Sequence, residues 1–120
     1  MEEPATKPTE AKGATLSGLA CSAGQVTAVA RILTVGDLHA ERLAKGEIIV
    51  TEQTDASWTP LFMNAAAVVT EIGGILSHAA VVSREFGIPA VLAVRNATQR
   101  IRDGQRITVN GTDGTVELLD

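Results

Sequence analysis

Hydrophobic and polar residues alternate over short stretches of this chain, and glycine or proline separates most of the stretches. Runs rich in Val, Ile, Leu and Ala between turn residues predict β-strands, whereas apolar residues three or four positions apart predict helices. The predicted strands are Leu16–Ala20, Gln25–Leu33, Glu47–Thr51, Ala66–Thr70, Ala90–Val94, Gln105–Val109 and Thr115–Leu119. The predicted helices are Asp37–Leu43, Ser57–Asn64 and a longer one from Ser77 to about Phe86. This order indicates a mixed α/β domain of six or seven strands and two or three helices.

The first thirteen residues differ from the rest in composition. They hold two prolines, three glutamates and two lysines, and no large aliphatic residue follows the initiator methionine. Such a segment is typical of a disordered tail or the remnant of a linker. Residues 14–120 are expected to form one compact domain, which buries roughly 65% of the surface that the unfolded chain exposes.

The composition limits which partners and which cellular compartment are expected. The net charge of −4 argues against a nucleic-acid partner. A single cysteine, Cys21, excludes an internal disulfide and suits a reducing cytoplasm. No apolar run reaches the roughly 18 residues of a membrane span, and no signal peptide is recognisable. The chain is therefore expected in the cytoplasm, away from membranes. Trp58 and Phe62, two of only three aromatic residues, indicate either core positions or an interface stripe.

One of the two histidines, His78, lies where a glycine pair gives way to a predicted helix. Ser77 is suited to cap that helix, which places His78 at its first position. A helix start offers unpaired backbone N–H groups and the positive end of the helix dipole, and both favour phosphate. Gly73 and Gly74 adopt backbone angles that other residues resist and let a bulky group approach the main chain. An imidazole beside such an anion site suggests a histidine that carries a phosphoryl group.

From these residues alone, a simpler interpretation of His78 stays equally open, namely a surface or capping residue beside a common glycine turn. Three other kinds of site are excluded. Ser77 and His78 are neighbours on a helix and do not face each other, so they cannot form a hydrolase dyad. His39, Cys21 and the carboxylates lack metal-ligand spacing, so no metal site is expected. The glycine loop also lacks the Lys and the terminal Ser or Thr of a nucleotide P-loop.

A longer motif surrounds this histidine. The segment Thr70–Val91, TEIGGILSHAAVVSREFGIPAV, closely resembles the phosphohistidine signature of phosphoenolpyruvate-utilising enzymes. That family includes pyruvate phosphate dikinase, phosphoenolpyruvate synthase, enzyme I of the sugar phosphotransferase system and rifampin phosphotransferase. The resemblance covers nearly everything from Leu16 to Leu119, including GLACSAG at 18–24 and IRDGQ at 101–105. The segment Thr54–Phe62 looks most like the synthase and rifampin phosphotransferase branches.

The resemblance implies a swivelling domain built as a β/β/α sandwich. The histidine of such a domain takes a phosphoryl group from ATP or phosphoenolpyruvate at one active site and delivers it at another. On this chain the phosphorylated residue would be His78, with Gly73, Gly74 and Ser77 as the phosphate-binding residues.

The family also implies partners that 120 residues cannot contain. These are an ATP-grasp nucleotide-binding domain and a domain that binds phosphoenolpyruvate, pyruvate or another acceptor, either in the same longer chain or as separate proteins. Magnesium and ATP or phosphoenolpyruvate are expected on those partners, and no cofactor is expected on this domain. Alone, the chain is expected to show little or no turnover. The alternative is a non-catalytic binding or regulatory module that retains the swivelling-domain fold.

Overall fold

The computed structural model describes residues 13–34 and 43–120. The predicted N-terminal tail and the predicted helix Asp37–Leu43 lie almost wholly outside these residues. The strands are β1 Thr15–Ser17, β2 Leu19–Ser22, β3 Gln25–Ile32, β4 Ile48–Thr51, β5 Ala67–Thr70, β6 Ala90–Leu92, β7 Arg106–Asn110 and β8 Thr115–Leu118. The helices are α1 Thr59–Phe62, α2 His78–Phe86 and α3 Ala97–Arg100, and a 3-10 turn, Ala56–Trp58, leads into α1.

The strands are hydrogen-bonded in the order β1-β8-β7-β3-β4-β5-β6-β2. The long strand β3 belongs to both halves of this arrangement. Its first part, Gln25–Val29, pairs antiparallel with β7, and its last part, Ala30–Ile32, pairs parallel with β4. The strands β4, β5 and β6 are parallel to one another, and β2 closes that half as an antiparallel neighbour of β6.

Two buried clusters show that the domain has three layers. Along β4, Ile48 and Val50 contribute to one cluster, and Ile49 contributes to the other, as the alternation of side chains along a strand requires. The first cluster lies between the two halves of the sheet and also contains Val109 of β7 and Val116 of β8. The second lies under the helices, and it includes Trp58, Leu61, Phe62, Ala79 and Ala80. The β/β/α sandwich is therefore confirmed.

The described residues contain eight strands, one more than the upper number predicted. The difference arises at Gly18, where the predicted strand Leu16–Ala20 divides into β1 and β2. A Cβ atom on Gly18 would lie 2.4 Å from the carbonyl oxygen of Leu92 and 2.6 Å from a methyl group of Val94. Because glycine allows this close approach, the chain pairs with β8 up to Ser17 and with β6 from Leu19 onward.

Helices α1 and α2 lie where the sequence pattern predicts helices, but α1 is shorter than predicted. The predicted helix Ser57–Asn64 is a 3-10 turn followed by the single turn of α1. Trp58 and Phe62 are each only 1% exposed, so they are core residues. The short helix α3 was not predicted. Among the described residues, no helix is both long and apolar enough to cross a membrane.

Candidate functional site

The helix α2 begins and ends as the sequence predicts. Ser77 is its N-cap, and its hydroxyl oxygen accepts a hydrogen bond from the backbone N–H of Ala80 at 3.4 Å. The same hydroxyl donates to the carbonyl of Gly74 at 2.8 Å, which ties the glycine loop to the helix. Gly87 ends the helix in the left-handed conformation, with φ of 70°. These contacts place His78 at the first helical position, as predicted.

The imidazole of His78 is held on both edges by hydroxyl groups. Its Nδ1 lies 2.8 Å from the hydroxyl oxygen of Thr54, and its Nε2 lies 3.2 Å from that of Thr59. Phe62 meets the ring edge to face, with 5.6 Å between ring centroids and an interplanar angle of 88°. The residue is half-buried. A histidine in such a setting has a fixed ring orientation and still has access to solvent.

An ionised carboxylate lies close to this histidine. Hydrogen bonds from the Ser57 hydroxyl and the Ser57 backbone N–H lower the pKa of Asp55, and the positive charge of His78, when the ring is protonated, lowers it further. Asp55 also forms the cap of the 3-10 turn through its bond to Ser57. Asp55 therefore stabilises the segment that supplies Thr54 and Thr59, because its carboxylate caps the turn between these two threonines.

The two glycines of the loop differ in what they require. Gly73 has φ of +137°, and a Cβ atom there would lie 3.1 Å from the hydroxyl oxygen of Ser77. Gly74 is not in the left-handed region, and a Cβ atom there would meet nothing within 4 Å. Gly73 is thus needed for the shape of the loop, whereas Gly74 leaves open space beside the main chain.

This difference predicts opposite results for matched substitutions. Gly73→Ala is expected to lower the free energy of unfolding by about 1–3 kcal/mol, because alanine resists this backbone conformation. Gly74→Ala is expected to change it by less than about 0.5 kcal/mol, because nothing is displaced. Urea unfolding followed by the fluorescence of Trp58 measures both. Equal losses for the two variants would contradict this view of the loop.

The structure brings Gly73, Gly74, Ser77 and His78 together in one loop and helix start. Thr54, Asp55 and Thr59 join them, although sequence reasoning did not select these three as site residues. The cluster of polar side chains in Thr54–Thr59, next to a predicted helix, was the signal available for finding them. Within the described ranges, no group of three or more His, Cys, Asp or Glu residues is arranged to hold a metal ion.

Comparison with known proteins gives consistent matches. The family model described as "PEP-utilising enzyme, mobile domain" matches residues 43–114. The rifampicin phosphotransferase of Streptomyces sviceus is 52% identical over 104 residues, which are 87% of this chain and 12% of that protein. The prodigiosin synthesizing transferase PigC of Serratia marcescens is 52% identical over 101 residues, 84% of this chain and 11% of that protein. A probable phosphoenolpyruvate synthase of Staphylothermus marinus is 46% identical over 102 residues, 82% of this chain and 12% of that protein. The chain thus spans 11–12% of the length of these curated relatives.

Solved structures agree on the architecture. The solution structure of an Enzyme I protein (nEIt) superposes with a TM-score of 0.58 at 26% identity, covering 67% of this chain and 33% of that one. The aconitase X of Thermococcus kodakaraensis has a TM-score of 0.68 at 15% identity, covering 90% of this chain and all of that one. The second likeness shows a shared fold and nothing more.

Proposed function

Because this chain belongs to the mobile-domain family of phosphoenolpyruvate-utilising enzymes, we propose that it is a phosphocarrier whose His78 is the phosphoryl acceptor. His78 would take the group from ATP or phosphoenolpyruvate at one site and deliver it at another. The observation that carries this proposal is the setting of His78. The ring is half-buried at the start of α2, and hydroxyl groups hold it by both nitrogens.

The two hydrogen bonds of the ring suggest which nitrogen reacts. In a neutral imidazole one nitrogen donates a hydrogen bond and the other accepts one. If Nδ1–H donates to Thr54 at 2.8 Å, the lone pair is on Nε2. Nε2 has the longer and weaker of the two contacts, 3.2 Å from the hydroxyl oxygen of Thr59. Nε2 then attacks phosphorus, the N–P bond forms, and the bond from phosphorus to the donor breaks. The proton on Nδ1 stays on the ring. On delivery, a bond forms between the acceptor and phosphorus, the N–P bond breaks, and the lone pair returns to Nε2.

The surroundings of His78 favour a phosphorylated side chain. The first N–H groups of α2 have no acceptor within the helix, and they point towards the end where His78 lies. The helix dipole adds a partial positive charge at the same end. Gly74 leaves the main chain open to a bound phosphoryl group. Ser77 acts here through the loop, since its hydroxyl is bonded to Gly74.

The remaining parts of the reaction belong to partners. Most of the length of the relatives lies outside the part that this chain matches. We assign the nucleotide or phosphoenolpyruvate site, its magnesium and the acceptor site to such partner domains, with an ATP-grasp domain as the nucleotide-binding one. The relatives are named for different compounds, rifampicin in one case and prodigiosin in the other. This difference supports the view that a partner domain, and not this one, selects the acceptor. Ile75 and Leu76, 57% and 85% exposed, supply apolar surface beside His78 for transient contact with those domains.

A domain exchange tests the proposal. The matching 104 residues of the Streptomyces sviceus rifampicin phosphotransferase would be replaced by those of this chain, to which they are 52% identical. We expect the resulting chimera to phosphorylate rifampicin when supplied with ATP. With labelled ATP and no rifampicin, the label is expected on His78, stable in alkali and lost in acid. Label on His39 or on any other residue of this domain would overturn the assignment.

A further inference from the structure

Arg84, near the end of α2, connects three separate segments. Its Nε–H donates to the carbonyl of Cys21 on β2 at 2.9 Å. One of its terminal nitrogens, Nη2, donates to the carbonyl of Ile75, in the loop that precedes His78. The guanidinium therefore links the end of the helix, the edge strand of the sheet and the glycine loop.

Polar contacts, more than apolar packing, hold this loop. The side chains of Ile75 and Leu76 are 57% and 85% exposed, so burial does little to fix them. At the loop's end, the hydroxyl and backbone N–H of Ser77 both donate to the carbonyl of Gly74, at 2.8 and 3.0 Å. Both of these bonds are local to the loop. The bond from Arg84 to Ile75 connects the loop to the body of the domain, since the same guanidinium also binds β2.

We propose that Arg84 is a positioning residue for phosphoryl transfer at His78. It holds the Gly73–Leu76 backbone against β2, and so keeps the loop and the N–H groups of His78 and Ala79, at the start of α2, aimed at the phosphoryl group. The inference rests on the proposed function of His78. Two acceptors on different segments require a planar fork of donors, which arginine has and lysine lacks. The simpler role of a positive charge near the helix C-terminus would be filled equally well by lysine.

Arg84→Lys separates these two roles, because it keeps the charge and removes the fork. The 120-residue chain is treated with phosphoramidate, whose leaving nitrogen is protonated. The lone pair of Nε2 forms the new N–P bond, the P–N bond of the reagent breaks as ammonia leaves, and the proton on Nδ1 stays on the ring. NMR of the ring nitrogens distinguishes His78 from His39. In Arg84→Lys we expect about tenfold faster hydrolysis of phosphorylated His78, the effect of removing one charged hydrogen bond. Amide exchange at Ser77, whose N–H donates to the carbonyl of Gly74, is expected to rise to a similar extent.

The matched control is Arg106→Lys, because Arg106 is an exposed arginine on β7 whose Nε lies 3.9 Å from a carboxylate oxygen of Asp120. We expect it to match the unsubstituted chain in both measurements. Arg84→Gln, measured at a temperature where its circular dichroism is that of the folded chain, should reproduce both effects if Arg84→Lys proves unstable. Unchanged hydrolysis and unchanged loop exchange in the Arg84 variants would overturn the proposal. If His78 of the unsubstituted chain resists phosphoramidate while His39 reacts, the proposed function fails, and the exchange measurement still decides whether Arg84 holds the loop.

Discussion

Replacing His78 with alanine is expected to abolish rifampicin phosphorylation by the chimera, to the level of a sample without enzyme. The reason is chemical, because the alanine side chain has no lone pair with which to attack phosphorus. His78→Asn should be equally inactive. Asparagine keeps a polar group near the hydroxyl of Thr54, the partner of Nδ1, but it supplies no nucleophile. The measurement is the initial rate of rifampicin phosphorylation together with covalent labelling from ATP.

His39→Ala is the matched control, since His39 is the other histidine of the chain. We expect its chimera to retain full activity. The His78 variants should remain folded, because the hydrogen bonds of the imidazole to Thr54 and Thr59 stabilise the domain by only about 1 kcal/mol each. Circular dichroism of each variant checks this point. Full activity in the His78→Ala chimera would refute the phosphocarrier proposal and favour a binding or regulatory module.

Local patterns predicted the strands and the main helix well because both signals depend on neighbouring residues. The apolar run at Ile48–Val50 reflects a strand buried on both faces, and Ile49 faces the opposite cluster from its two neighbours. Ser77 and Gly87 mark the ends of α2 because each satisfies a requirement of the adjacent backbone. The family that the signature resembles is confirmed by the matches at residues 43–114.

Local sequence patterns could not predict contacts between residues that lie far apart in the chain. Thr54 and Thr59 contact His78 across 24 and 19 residues. The polar cluster around them marks a candidate site but does not indicate that the partner is this histidine. Arg84 reaches Cys21 across 63 residues, so the sequence shows it only as a charged residue near a helix end. The division of the first predicted strand has the same origin, because Gly18 is required by Leu92 and Val94 and not by its sequence neighbours.

Gly111→Ala is expected to lower the free energy of unfolding by about 3 kcal/mol or more, through a clash between backbone segments. A Cβ atom on Gly111 would lie 1.8 Å from the carbonyl oxygen of Ser22 and 2.9 Å from the backbone nitrogen of Ala90. Neither atom is the end of a flexible side chain, so β2 or β6 has to move. The backbone N–H of Gly111 also donates to the carbonyl of Gly24 at 2.7 Å, which holds the β7–β8 connection close to the end of β2.

Gly104→Ala is the control that separates lack of space from backbone strain. Gly104 has φ of +86° and open space around its Cβ position, so alanine there incurs only strain, about 1–3 kcal/mol. Urea unfolding, followed by Trp58 fluorescence, should therefore give a lower midpoint for Gly111→Ala than for Gly104→Ala. An unchanged midpoint for Gly111→Ala would show that the strands separate at little cost.

The expected displacement of β2 also affects the site, because β2 carries the Cys21 carbonyl that binds Arg84. At temperatures where Gly111→Ala stays folded, its Ser77 amide, which donates to the carbonyl of Gly74, should exchange faster than that of Gly104→Ala.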